Sequence, residues 1–192
     1  MAAPGPTLAT SRLILRRWRQ SDREPFARLN ADPEVMSHFP RPLTREESDA
    51  LVDRIEMRFD ERGYGLWAVE RRDDGVFLGF TGLAYQTFEA PFTPCVEVGW
   101  RFDRFAWGHG YATEAARAAL AYGFGVAGLD EIVSFTSTLN EASIRVMERI
   151  GLRRDPDGDF DNPSFSAGHP LRRHVLYRLG VRDYVGESTT PA

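Results

Sequence analysis

The sequence predicts a mixed α+β fold in which helices flank one central sheet. Two extended segments, G-L-W-A-V-E-R-R and V-F-L-G-F-T-G-L-A-Y, are separated by D-D-G and indicate an antiparallel hairpin. Strands come in a run before helices begin to alternate with them, which favours a mixed sheet over a doubly wound one. The chain has 192 residues, of which 42% are hydrophobic and 27% charged. This composition suits a single domain with an ordinary core.

The first part of the chain predicts a strand and two helices before the hairpin. L-I-L, residues 13–15, indicates the strand. Ser21 or Asp22 can cap the first helix. T-R-E-E, residues 44–47, has the spacing of a capping box and begins a second helix that ends at Gly63.

The strand after the hairpin carries two different faces. C-V-E-V-G-W-R-F, residues 95–102, alternates so that Val96 and Val98 lie on one face and Glu97 and Gly99 on the other. An apolar face and a face with a carboxylate predict that one side packs on the core while the other meets a cleft or solvent.

The last part of the chain predicts helices between strands. A glycine-rich turn leads into a helix that runs to about Phe124, and I-V-S-F-T-S is the next strand. Asn140 caps a short helix that ends at Gly151. A polar loop from Asp155 to Pro170 then precedes a closing strand, L-R-R-H-V-L-Y-R-L.

Composition and charge exclude several classes of protein. A formal charge of −4 argues against a general attraction to nucleic acid or anionic lipid. No apolar run approaches the ~18 residues of a membrane span. M-A-A-P-G-P-T lacks signal-peptide features, and the single cysteine, Cys95, fits a reducing compartment, so we expect a cytoplasmic protein. Residues 1–7 and 184–192 are expected to be disordered margins around one domain, residues 8–183. Four histidines without a ligand spacing predict no metal site.

The stretch W-G-H-G-Y-A-T-E-A places two glycines immediately before a helix. The first amides of a helix lack internal partners and attract anions, and Gly108 and Gly110 remove the side chains that would keep a phosphate away. The spacing matches neither the dinucleotide-binding G-x-G-x-x-G nor a P-loop. Taken alone, the stretch is compatible with a phosphate site or with a tight turn.

Together with other motifs, this stretch resembles the GNAT superfamily of acetyl-CoA-dependent N-acetyltransferases, and within it the branch of the ribosomal-protein alanine N-acetyltransferases. The similar motifs are T-S-R-L-I-L-R-R-W, E-V-G-W, W-G-H-G-Y-A-T-E-A, N-E-A-S-I-R-V-M-E-R-I-G-L and H-V-L-Y-R-L, and they extend over residues 8–183. The resemblance implies a mostly antiparallel sheet with two splayed parallel strands in its middle. It also implies acetyl-CoA as co-substrate.

The resemblance further implies where acetyl-CoA binds. The family holds the pyrophosphate on backbone amides of [QR]-x-x-G-x-[GA], and W-G-H-G-Y-A matches except at its first position, which is Trp107. The pantetheine arm is expected along the strand 95–102. The cofactor-binding residues implied in this way are Gly99, Trp100, Arg101, Phe102, Trp107, Gly108, His109, Gly110, Tyr111, Ala112, Thr113, Asn140, Ser143 and Arg145.

Acetyl transfer needs a neutral amine and a proton for the departing thiolate. Ser143 matches the serine that protonates the thiolate in the alanine N-acetyltransferase branch, so the resemblance implies this role for it. Many family members use a tyrosine at the position of Met147, which cannot donate a proton, so the donor here is Ser143 or water. Glu97 is the candidate general base if burial raises its pKa; otherwise it is a solvated strand residue. Cys95 has no base beside it in the sequence and is interpreted as a structural residue.

The acceptor is expected to be a primary amine on a protein N-terminus or on a small molecule. Candidate acceptor-binding residues are Phe39, Trp67, Asp159 and Asp161, and the acidic pair favours a cationic acceptor. A non-catalytic acyl-CoA-binding sensor on the same fold is the alternative, which Met147 keeps open. A homodimer is compatible with the sequence.

Overall fold

The computed structural model describes residues 6–184, and within them it shows one eight-stranded sheet with four α-helices. The helices are α1 (Arg23–Ala31), α2 (Arg45–Arg62), α3 (Tyr111–Gly125) and α4 (Glu141–Arg149). The strands are β1 (Leu8–Ala9), β2 (Leu13–Arg16), β3 (Leu66–Arg71), β4 (Phe77–Gln86), β5 (Cys95–Phe102), β6 (Glu131–Ser137), β7 (Arg153–Asp161) and β8 (Arg173–Gly180). Their spatial order is β1-β2-β3-β4-β5-β6-β8-β7. The predicted α+β class is confirmed.

The sheet opens between β5 and β6. These strands are the parallel pair of the described sheet, and a single pair of residues, Glu97 and Val133, is in register between them. By contrast, β5 pairs with β4 along its whole length, and β6 does the same with β8. Glu97 and Val133 are both third in their strands, so the strands touch near their starts and diverge toward their carboxyl ends. The splayed pair that the family resemblance implied is therefore present.

Local capping explains where α2 begins and ends. The Thr44 side chain accepts a hydrogen bond from the Glu47 amide at 3.2 Å, and the Glu47 carboxylate accepts one from the Thr44 amide at 2.9 Å. Gly63, with φ of +75°, ends the helix in a left-handed conformation that suits glycine. The predicted helix is confirmed at both ends.

The cap predicted for the first helix serves another purpose. Asp22 stands at the N-cap position of α1, but its side chain makes no hydrogen bond to the helix. Its carboxylate instead accepts from the guanidinium of Arg16, which also donates to Glu70 at 2.6 Å. All three side chains are buried. A buried arginine between two carboxylates therefore ties β2 and β3 to the start of α1.

The prediction of a loop that begins at Asp155 is wrong for residues 155–161, which form a strand. Residues 155–161 form all but the first two residues of β7, with an irregular register between Asp155 and Phe160. β7 is an edge strand, and a proline or glycine that breaks a central strand is tolerated at an edge. A Cβ on Gly158 would lie only 2.4 Å from Leu176 Cδ2, so glycine permits the close approach to β8.

Residues 1–5 and 185–192 lie outside the described residues, so most of both predicted margins is not covered. At the inner ends of those margins, the Pro6 carbonyl accepts from the Trp67 indole at 2.9 Å, and the Tyr184 ring packs 4.7 Å from that of Phe124. No helix within residues 6–184 combines the length and apolar character that crossing a membrane requires.

Candidate active site

A cavity of about 850 Å³ opens where β5 and β6 diverge, which is the size of a small-molecule site. Residues 34–40 form one wall, and the second half of β5 crosses it. The glycine loop and the start of α3 form a second wall, and the end of β6 with the start of α4 forms a third. Residues 162–165 and His174 close the remaining side.

The glycine loop leaves open space in front of its backbone. Gly108 and Gly110 both have φ of +78°, a conformation that other residues rarely adopt. A Cβ on Gly108 would meet nothing within 4 Å. Gly110 is the N-cap of α3 and has no side chain to cap it, which leaves the first amides, at Tyr111 to Thr113, for an external acceptor. The loop is therefore both a tight turn and a fitting anion cradle.

Arg12 supports the glycine loop from the side of β2. Its Nη1 donates to the His109 carbonyl at 2.9 Å, and its Nε donates to Glu114 of α3 at 2.6 Å. Glu114 also accepts from the Thr10 hydroxyl and from the Arg12 amide. The guanidinium lies 4.8 Å from the centre of the Tyr111 ring. These contacts fix the loop in place without a ligand, which lowers the cost of ordering it on binding.

Trp107 replaces the glutamine or arginine of the family pattern, and its position explains how the loop tolerates this. The indole Nε1 donates to the Phe102 carbonyl at 2.9 Å, so the side chain turns back toward the end of β5. The tryptophan lines the cavity and is about half exposed.

The residues present fit coenzyme A. A diphosphate needs several convergent N–H donors, and the open first turn of α3 offers them. A pantetheine arm carries two amides, and the edge of β5 beyond Glu97 has no β6 partner in register there. Bound acetyl-CoA supplies an activated acetyl thioester. Gly99, Trp100, Arg101 and Phe102 all line the cavity along that edge.

Glu97 lies where β5 and β6 meet and faces the cavity. Burial raises the pKa of its carboxyl group to about 7, and a hydrogen bond from Gln86 Nε2, 2.5 Å from Oε2, opposes part of that rise. A Cβ on Gly99 would lie 3.8 Å from Oε1, so the glycine leaves space beside the carboxylate. A carboxyl group with this pKa is partly ionised at neutral pH and is suited to accept a proton.

The start of α4 reaches the same cavity. Asn140 caps the helix by accepting from the Ser143 amide at 3.2 Å, and its Nδ2 donates to Thr136 Oγ1 at 3.0 Å, so it joins β6 to α4. The predicted cap is confirmed. Ser143 and Arg145 line the cavity, and Arg145 pairs with Glu141 at 3.1 Å. Met147 is buried and offers no proton donor.

Several predicted acceptor residues lie elsewhere. Phe39 lines the cavity, but Trp67 is fully buried between Phe59 and Tyr122, so its assignment to the acceptor site is corrected to the core. Asp159 and Asp161 lie on β7 outside the cavity lining. Asp159 is paired with Arg154, and Asp161 is paired with Arg172 and Arg173. These pairs neutralise the acidic charge that favoured a cationic acceptor.

The cavity also contains polar side chains that sequence reasoning did not assign to it. Burial lowers the pKa of His38, and its Nδ1 is buried without a partner among the described residues. Burial also lowers the pKa of His174, whose Nδ1 lies 3.1 Å from the Arg172 carbonyl and whose Nε2 lies 3.2 Å from Asn162 Nδ2. His174 is thus a neutral ring held by two hydrogen bonds. Within residues 6–184 no cluster of three or more His, Cys, Asp or Glu could hold a metal ion.

Comparison with known proteins agrees with this geometry. A family model for the acetyltransferase (GNAT) domain matches residues 12–153. An FsC-acetyl coenzyme A-N(2)-transacetylase from Aspergillus fumigatus is 37% identical over 154 residues, which cover 77% of this chain and 65% of that longer protein. The chain belongs to the GNAT acetyltransferase family. It is an acetyl-CoA-dependent acyltransferase.

Solved structures show the same fold. A GNAT-family acetyltransferase from Bacillus anthracis aligns with a TM-score of 0.76 at 26% identity, covering 92% of this chain and 99% of that one. RimL, a ribosomal L7/L12 alpha-N-protein acetyltransferase solved with coenzyme A, aligns with a TM-score of 0.73 at 16% identity, covering 93% and 100%. The fold thus resembles that of the RimL branch.

Proposed function

We propose that this enzyme transfers an acetyl group directly from acetyl-CoA to a primary amine, carried by a protein N-terminus or by a small molecule. The observation that carries the proposal is the position of Glu97. Its carboxyl group lies inside the cavity where the two parallel strands part, beside the edge that fits a pantetheine arm. The glycine loop and Ser143 line the same cavity.

Each residue has one task in this proposal. The backbone amides at the start of α3 bind the diphosphate, and the free edge of β5 orients the thioester. Glu97 accepts a proton from the acceptor ammonium, so that the neutral amine can attack the acetyl carbon. The Ser143 hydroxyl donates a proton to the departing sulfur. Direct transfer is proposed because Cys95 is not among the residues that line the cavity. Burial and the nearby Glu97 also raise the pKa of its thiol to about 11, which keeps it protonated and poorly nucleophilic.

Two comparisons support the donor and the type of acceptor. The Aspergillus fumigatus relative is named for acetyl coenzyme A and for transfer to a nitrogen, and it shares 37% identity with this chain. RimL, which is similar in fold, is an alpha-N-protein acetyltransferase. Both a small-molecule amine and a protein N-terminus are therefore acceptors to test.

The test is turnover of acetyl-CoA with a panel of amines and N-terminal peptides. Thiol release is followed optically, and acetylated products are identified by mass spectrometry. We expect amine-dependent release of CoA with one acetyl group added to nitrogen. Binding of CoA without amine-dependent release across the whole panel would contradict transfer and favour a binding protein.

A further inference from the structure

Arg101 places a cation on the side of the cavity that residues 34–40 line. It lies on the same face of β5 as Glu97 and Gly99 and lines the cavity. Its guanidinium lies 4.1 Å from the centre of the Phe39 ring and 5.4 Å from that of Phe80. Two aromatic faces thus hold the guanidinium in one orientation.

The hydrogen bonds of this guanidinium are incomplete. Nη1 donates to Asn30 Oδ1 at 2.5 Å, and Asn30 is itself oriented by donating from Nδ2 to Ser48 Oγ at 2.9 Å. Nε is buried and has no partner among the described residues. A guanidinium carries five N–H donors, and the one on Nε is shielded from solvent without an acceptor. An unsatisfied buried donor is costly, and a bound acceptor group would relieve that cost.

The charge of Arg101 is not compensated within the described residues. No carboxylate of residues 6–184 forms a salt bridge with it, and Glu34, which lines the same cavity, pairs with Arg104 at 3.1 Å. Burial lowers the pKa of Arg101 to about 10, which still leaves it protonated at neutral pH. A partly buried cation whose Nε is shielded from solvent is unfavourable without an anion, unless a ligand supplies one.

The position of Arg101 separates it from the coenzyme cradle. The contacts of its guanidinium come from α1, from β4 and from residues 34–40, whereas the diphosphate cradle is built by the glycine loop, α3 and Arg12. His38, directly before Phe39, adds a second buried nitrogen without a partner, Nδ1, at the cavity wall. Two unpaired buried nitrogens thus occur on this side of the cavity, on different elements.

We propose that Arg101 is the anion-binding residue of the acceptor subsite, and that the acceptor is a small amine that also carries a carboxylate. This inference rests on the proposed acetyl transfer and specifies its substrate class. Glu97 and Arg101 are four residues apart on one strand face, or roughly 13 Å between Cα atoms at 3.3 Å per residue. The amine and the carboxylate of the acceptor are therefore several carbon atoms apart.

The test compares matched acceptors that differ only in charge. 6-Aminohexanoate and 6-aminohexanamide have the same length and amine, but only the first carries an anion. We expect kcat/KM to be roughly 10- to 100-fold higher for the carboxylate, which is the range of one charge-assisted hydrogen-bonded contact. The shorter acids glycine and β-alanine should be poorer acceptors than 6-aminohexanoate.

The variant Arg101→Gln removes the charge and retains a donor for Asn30. We expect it to abolish the preference for the carboxylate. The part of residue 101 on the edge that fits the pantetheine arm is its backbone, which the substitution retains, so the Kd for coenzyme A should change less than threefold. Equal use of both acceptors by the unaltered enzyme would overturn the inference and leave acetyl transfer intact. A variant whose coenzyme affinity falls instead would overturn it by assigning Arg101 to the cofactor. Absence of transfer to any amine would refute the proposed function and the subsite together.

Discussion

Replacing Glu97 by glutamine tests whether a carboxylate drives acceptor deprotonation. The substitution keeps the size of the side chain and its contact with Gln86 but removes the proton acceptor. Because the pKa of Glu97 is about 7, the unaltered enzyme should gain activity as pH rises through 7 and level off above it. The variant depends on amine that is already neutral, so its activity should continue to rise toward the pKa of the amine, about 10.4 for a lysine-like acceptor.

The size of the effect follows from the two pKa values. At pH 7 an amine with a pKa of about 10.4 is neutral in roughly one molecule in 2,500. The variant should therefore lose up to about 10³-fold in rate at neutral pH, equivalent to about 4–5 kcal/mol. The rate ratio between the two enzymes should be constant below pH 7. It should shrink about tenfold per pH unit between 7 and 10.

The assay is thiol release at saturating acetyl-CoA and acceptor between pH 5.5 and 10. Glu131→Gln is the control, since Glu131 lies on the neighbouring strand, pairs with Arg178 and does not line the cavity. A ratio that stays flat across the whole pH range would refute a base role for Glu97. A second variant, Gln86→Leu, removes the hydrogen bond that favours the charged carboxylate, so the midpoint of the profile should move about one unit upward.

Three further predictions concern the diphosphate cradle of the glycine loop, the proposed proton donor Ser143 and the buried ion pairs of Arg16. Gly108→Ala should weaken coenzyme A binding at least tenfold, as measured by calorimetry. Gly128→Ala is the control: Gly128 also has a positive φ and open space around it, so both variants should lose about 1–2 kcal/mol of stability, but only Gly108→Ala should lose affinity. Equal affinities of the two variants would contradict the cradle. Ser143→Ala should lower kcat by roughly 10²-fold and leave the Kd for coenzyme A unchanged, and an unchanged kcat would exclude Ser143 as the proton donor. Arg16→Leu leaves Asp22 buried without its cation and Glu70 with only the exposed Arg19, so denaturant unfolding should show a loss of about 3–5 kcal/mol; a loss below 1 kcal/mol would mean that water reaches the two carboxylates.

Local signals allowed a large part of the fold to be predicted. The capping box at Thr44, the glycine at position 63 and the cap at Asn140 each act within one helical turn, so sequence spacing alone specifies them. Most of β7 was missed because its Pro, Gly and Asp residues are typical of loops. Its strand conformation depends on an edge position, which only the tertiary arrangement decides.

The residues of the candidate site also divide into those that local motifs predict and those that depend on tertiary contacts. Gly108, Gly110, Asn140 and Ser143 belong to motifs whose backbone geometry is local, and all four line the cavity. Trp67 was misplaced because an aromatic residue in a strand pattern does not reveal on which side of the sheet the core lies. The environment of Arg101 depends on Asn30, 71 residues earlier in the chain, and no short-range pattern reports such a contact.

The opening between β5 and β6 also makes the stability of the sheet depend on the bound coenzyme. Five strands stand on one side of the opening and three on the other, and one residue pair bridges them. A pantetheine arm bound in the gap would hydrogen-bond to the strand edges and join the two halves into one continuous sheet for as long as the coenzyme is bound. The amide hydrogens of β5 and β6 that face the opening should exchange with solvent quickly in the empty enzyme and slowly once coenzyme is bound. Each catalytic cycle would therefore close and reopen the sheet.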